Sequence, residues 1–84
     1  MKLVYFSWIR ERIGIAEEEV SLPADVDTVS RLLSWLRSRG EEYDAALQHE
    51  SAVRVAINHE HVPERGAKID GAREIALFPP MTGG

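Results

Sequence analysis

The chain has no cysteine. Disulfides, thiolate metal sites, cysteine nucleophiles and persulfides carried on a side chain are therefore excluded. It also lacks a long apolar run, since every such stretch falls far short of the roughly 18–20 residues that span a bilayer. Positive charge is not in excess: ten Lys and Arg stand against fourteen Asp and Glu, for a net charge of −4. That balance argues against a nucleic-acid partner, whose binders usually carry a basic face, and against an anionic membrane surface. No P-loop, GxGxxG or Ser-His-Asp set is present, so the chain is not expected to catalyse alone. The opening residues carry one lysine, a short apolar stretch and then charges, without a small-residue cleavage site. A secretory signal is not expected from that pattern, and the expected compartment is the cytoplasm.

What is present is the composition of a soluble globular domain, with 44 % apolar and 29 % charged residues in 84. One domain with a modest core is expected, because a chain this short buries only roughly 60–65 % of its unfolded surface. Residues 1–6 alternate, with Leu3 and Tyr5 on one face and Lys2, Val4 and Phe6 on the other, which predicts a strand. Residues 7–14 read as a connector with at most one helical turn, closed by Gly14. Residues 17–22, "EEEVSL", predict a second strand with Val20 and Leu22 facing inward, and the three glutamates read as a solvated strand start. Val29, Leu32, Leu33 and Leu36 fall at i, i+3, i+4 and i+7, so residues 28–39 predict a helix with one apolar stripe. Asp27 or Thr28 is its expected cap and Gly40 its expected stop. A weaker helical spacing covers residues 42–49. Alternation predicts strands again at 53–57 and 74–78, with a turn at 58–60 and a loop at 63–72 between them. A mixed sheet of four or five strands with one main helix on one face is the expected α+β architecture, the last strand lying beside the first.

The final strand stops abruptly in "EIALFPPMTGG". Pro79 and Pro80 have no backbone N–H and hold an extended exit. Two residues without Cβ, Gly83 and Gly84, can then enter a channel too narrow for side chains. The last group is a free α-carboxylate, which is ionised at neutral pH and hence a poor electrophile. Chemistry at that carbon needs activation, most plausibly as an acyl-adenylate made by an ATP-using partner.

A strand-rich domain with one long helix and an exposed Gly-Gly end resembles the ubiquitin-like β-grasp group. Within it, "LFPPMTGG" resembles the Pro-Pro-x-(Ser/Thr)-Gly-Gly ending of the molybdopterin synthase small subunit family. The segments "KLVYFSWIRERIG", "TVSRLLSWL" and "VRVAINHEHV" also sit where that family has its counterparts, so the likeness spans essentially the whole chain. The turn before the last strand departs from it, with Ala72-Arg73 in "DGARE" where the family often has Gly-Asp.

The resemblance implies a β-grasp domain over residues 1–78 and a flexible tail over 79–84. It further implies a sulfur carrier of molybdenum cofactor synthesis. An E1-like adenylyltransferase would use ATP to adenylate Gly84, and sulfide would then displace AMP to leave a thiocarboxylate. That end would enter the large catalytic subunit of a heterotetramer and donate sulfur to cyclic pyranopterin monophosphate, with no bound cofactor on the carrier itself. A cysteine-free chain suits this, because the terminus is then the place left for sulfur. Two alternatives stay open: a ubiquitin-like modifier joined through Gly84 to lysines, and a sulfur carrier of another pathway such as thiamine synthesis.

Partner contacts are expected from Phe6 and Phe78, which fit either the core or the outer sheet face. The outer face is favoured because one helix covers only one face. Pro79, Pro80, Met81 and Thr82 are expected to follow Phe78 into the partner, with His61 at the edge of the patch. Arg10 is expected to be the one cation beside it and to meet a partner carboxylate. His49, His59 and His61 lack the companions of a metal site and read as solvated turn residues. Trp8 and Trp35 read as packing residues.

Overall fold

The computed structural model of the chain describes residues 1–80. Five strands form one mixed sheet: β1 (Lys2–Tyr5), β2 (Glu17–Glu19), β3 (Arg54–Ile57), β4 (Glu60–His61) and β5 (Glu74–Phe78). Their order is β2-β1-β5-β3-β4. The first and last strands are central neighbours and run parallel, from Lys2 opposite Glu74 to Tyr5 opposite Leu77. All other pairings are antiparallel. This is the α+β, β-grasp arrangement expected from the sequence, with five strands.

Three helices lie on one face: α1 (Ser7–Ile13), α2 (Val29–Arg37) and α3 (Glu41–Leu47). The α2 stripe is as expected, with Val29, Leu32, Leu33 and Leu36 fully buried against Leu3, Tyr5, Val55, Ile75 and Leu77 of the sheet. Its first N–H groups, which no turn of the helix itself can satisfy, all find acceptors. The Thr28 hydroxyl accepts from the Arg31 N–H, while the carbonyls of Ala67 and Arg65 accept from Val29 and Ser30. The loop over residues 63–72 is thereby tied to the start of α2. Trp8 and Trp35 pack against the core, each with an arginine over its ring.

Four local expectations are corrected. Residues 7–14 form a two-turn helix rather than a connector, because Ile9 and Ile13, one turn apart, both bury. Gly14 closes it at φ 96°, its N–H donating to Arg10 O. Strand β2 ends at Glu19 instead of reaching Leu22, since its partner strand runs out at Met1, which exchanges backbone hydrogen bonds with Val20. Gly40 does not stop α2 in a left-handed turn; it is extended and opens α3.

Glu18 is the fourth correction. It is no solvated residue but points to the core side of β2, where its carboxylate accepts from the Tyr5 and Tyr43 hydroxyls, each at 2.7 Å, and from Arg39 at 3.0 Å. Burial disfavours its charge, but these donors outweigh that and hold its carboxyl below the usual glutamate range. In turn, burial and the Glu18 carboxylate push the Tyr43 hydroxyl up to about 12 and Tyr5 higher still.

Candidate functional site

Period-two alternation along β5 sends Ile75 and Leu77 into the core and leaves Ala76 and Phe78 on the face without helices. The Phe6 N–H donates to Leu77 O at 3.1 Å, carrying the parallel register one step beyond β1. Phe6 therefore stands beside Phe78. On its other side the Tyr5 N–H donates to Ala16 O at 2.8 Å, so the antiparallel register continues and sets Ile15 opposite Phe6. Phe78 in turn faces Arg54 across the strand.

The outcome is one row across the sheet: Ile15, Phe6, Phe78, Arg54. Phe6 at 46 % and Ile15 at 41 % are the exposed large hydrophobics among the described residues. Behind this row lies a second one, in which Val4, Ala76 and Ala56 are flanked by Glu17 and His61. The His61 ring is tilted against Phe78 with centroids 5.9 Å apart. Pro79 and Pro80, half-buried, leave the sheet at the same end as the first row. Met81, Thr82, Gly83 and Gly84 lie outside the described residues.

The placement agrees with the outer-face expectation for Phe6 and Phe78, and His61 does border them. Arg10 is exposed on α1, its N–H donating to Phe6 O at 3.4 Å. It is not the one cation nearby, however. Lys2 and Arg54 stand on the sheet face itself, because their positions in β1 and β3 share the parity of Val4 and Ala56. Lys2 lies between Glu17 at 3.4 Å and Glu74 at 4.0 Å. Ile15 is not marked by the sequence pattern, although it alternates with Glu17, because the predicted strand begins two residues later. Among the described residues, no group of three His, Cys, Asp or Glu side chains is placed to hold a metal. No helix there is long and apolar enough to cross a membrane.

An apolar row on an open sheet face, at the end from which the Pro79-Pro80 exit departs, is suited to holding a protein partner. The model of the ThiS family matches residues 3–84. The chain belongs to the ThiS family. Two relatives of this ThiS-family chain are molybdopterin synthase sulfur carrier subunits. That of Haemophilus influenzae is 33 % identical, covering 100 % of this chain and 99 % of the relative. That of Escherichia coli is 32 % identical with the same coverage. Among solved structures, the H. volcanii small archaeal modifier protein 1 matches with a TM-score of 0.67 at 25 % identity, over 96 % of this chain and 97 % of that one.

Proposed function

We propose that this chain is the sulfur-carrier subunit of a molybdopterin synthase, working from its C-terminal carboxylate. The observation that carries the reading is the row Ile15, Phe6 and Phe78 beside the Pro79-Pro80 exit, in a chain related over its full length to such carriers. In the first step a Gly84 carboxylate oxygen attacks the α-phosphorus of ATP in an E1-like enzyme, and pyrophosphate leaves. Sulfide then attacks the acyl carbon and AMP departs, leaving a thiocarboxylate. The charged end enters the large catalytic subunit and passes its sulfur to cyclic pyranopterin monophosphate, and water restores the carboxylate. Gly83 keeps this end slim. Because the activation uses ATP, we place the protein in the cytoplasm.

Phe6 and Phe78 act here as anchors for the large subunit, with Pro79, Pro80, Met81 and Thr82 leading the end into its active site. His61 and Arg10 edge the contact. Replacing Phe78 by Ala is expected to weaken the complex by about 1–3 kcal/mol, as for a buried aromatic anchor. The melting temperature of the free domain should hardly move, because Phe78 lies outside the core. A large fall in that temperature, measured by calorimetry, would instead make Phe78 a core residue.

The likeness to a small archaeal modifier supports a second reading, in which Gly84 is joined to lysines of other proteins. Intact-mass spectrometry of the protein isolated from its own cells separates the two. A gain equal to sulfur in place of one oxygen, located at the last residue, supports the carrier. Lysine-linked conjugates without that species would sink it.

A further inference from the structure

Arg54 poses a question that an apolar contact does not answer. The chain has four more acidic than basic residues (14 − 10), and Lys2, Arg31, Arg37, Arg39 and Lys68 each have a carboxylate within 4.0 Å. Arg54 has none among the described residues, which holds also for Arg10, Arg12, Arg65 and Arg73, but of these it is the one that stands directly across from Phe78 on the open face. It is held instead by a neutral group, Nη1 donating to Ser51 O at 2.9 Å.

The same corner contains a pocket of about 200 Å³ between β3 and the segment following β4. It is lined by the strand at Val53 and Val55, whose side chains are buried in the core, and by Val62 and Pro63, while Arg54, His61 and Arg65 bring nitrogen to it. No carboxylate among the described residues lines it. Arg65 is fixed there because its Nη2 donates to Glu50 O and to Val53 O, both at 2.6 Å. A guanidinium has five N–H donors, and these backbone bonds use only part of each set. Nitrogen-rich lining beside the half-buried Phe78 is suited to one anionic group brought in by a protein surface.

We propose that this corner receives a carboxylate side chain of the protein that docks on the open sheet face. The proposal rests on the reading of that face as the contact for a large catalytic subunit, and it adds what that subunit must present: an Asp or Glu over Arg54. At the opposite edge of the face Glu17 and Glu19 are exposed on β2, but each already has a cation in reach, Lys2 at 3.4 Å and the amino terminus at 3.3 Å. The charge left for a partner is thus on the Arg54 side of the apolar row. A partner with a carboxylate at that one end docks in one orientation, which aims the C-terminal end into a single active site.

The test is titration calorimetry of the full chain with its molybdopterin synthase large subunit at low and high salt. Arg54→Glu should weaken binding at least about tenfold at low salt and Arg54→Gln about threefold, with both gaps narrowing at high salt as the charges are screened. Arg73→Glu is the matched control, since it changes the charge equally at the other end of β5. It should stay within about twofold of wild type, the size expected of a surface charge away from the contact. Melting temperatures verify that each variant is folded. If Arg54→Glu binds no worse than Arg73→Glu, the corner does not read a carboxylate and the proposal is overturned while the carrier reading stands. If that result comes with inorganic phosphate shifting the Arg54 and His61 resonances of the free chain, the corner is a small-anion site instead. Failure of the wild-type chain to bind the large subunit at all would remove the carrier reading itself, and the proposal with it.

Discussion

A chain lacking Gly84 is expected to give no pterin product above background when supplied with the activating enzyme, ATP, sulfide and the large subunit. The carboxylate to be adenylated would then sit on Gly83, one residue short of the reach that the proposed mechanism gives it. Stability and docking should be unchanged, because the deletion leaves the core and the row Ile15, Phe6 and Phe78 intact. Gly83→Val separates reach from width. It keeps the length but adds a β-branched side chain and narrows the accessible φ and ψ, so both adenylation and sulfur transfer should slow. Single-turnover assays with each enzyme resolve the two steps. Product formed by the deletion variant at the wild-type rate would show that the terminus is not the carrier.

The second large effect is on stability and centres on Glu18. Truncation to Ala removes the acceptor of a fully buried Tyr5 hydroxyl and a nearly buried Tyr43 hydroxyl, and it strands Arg39. A loss of about 2–4 kcal/mol in urea unfolding is expected, since each orphaned buried hydroxyl costs about 1–3 kcal/mol. For a domain this small that is a sizeable share of the total. Glu18→Gln keeps an acceptor oxygen but not the charge, so it should cost less.

The pH dependence has a definite sign. The folded protein holds the Glu18 carboxyl below its ordinary value. Its contribution is therefore present above the ordinary glutamate range, near pH 4.3, and is lost as pH falls through the lower folded value. The acid limb of the melting curve should be shallower in Glu18→Gln than in wild type. A Glu18→Ala loss below about 0.5 kcal/mol, the scatter of ordinary surface substitutions, would show that the hub is incidental.

Helix α2 was legible in the sequence because what defines its start and its buried face is local: a cap and a 3.6-residue stripe. The alternation of β5 and the Pro-Pro stop were legible for the same reason. Glu18 was not, because its tyrosine partners lie 13 and 25 residues away, and nothing in "EEEVSL" distinguishes the middle glutamate from its neighbours. Helix α1 was under-read because seven residues supply just one buried i, i+4 pair, Ile9 and Ile13. At the site, alternation correctly sent Phe6 and Phe78 outward, but which strand lies beside which is a long-range matter. Arg54 joins the row because of the β3–β5 register, and Ile15 through the continued β1–β2 register. The single-cation reading of Arg10 failed on that account.

The parallel pairing of β1 with β5 joins residues 72 positions apart at the centre of the sheet. Closing so large a loop has to precede the contacts that reward it, which slows folding relative to a chain of local contacts. During synthesis the amino-terminal half cannot complete its sheet, because the strand that belongs beside β1 is made after the other four. The central pairing of the sheet therefore forms only once β5 is available. A chain clipped before β5 would lose the middle of its sheet, not merely its end, and with it the row to which we assign the partner contact. Damaged copies would then be left unfolded and open to proteolysis, and on the reading proposed above they would not occupy a large subunit with a carrier that has no sulfur to give.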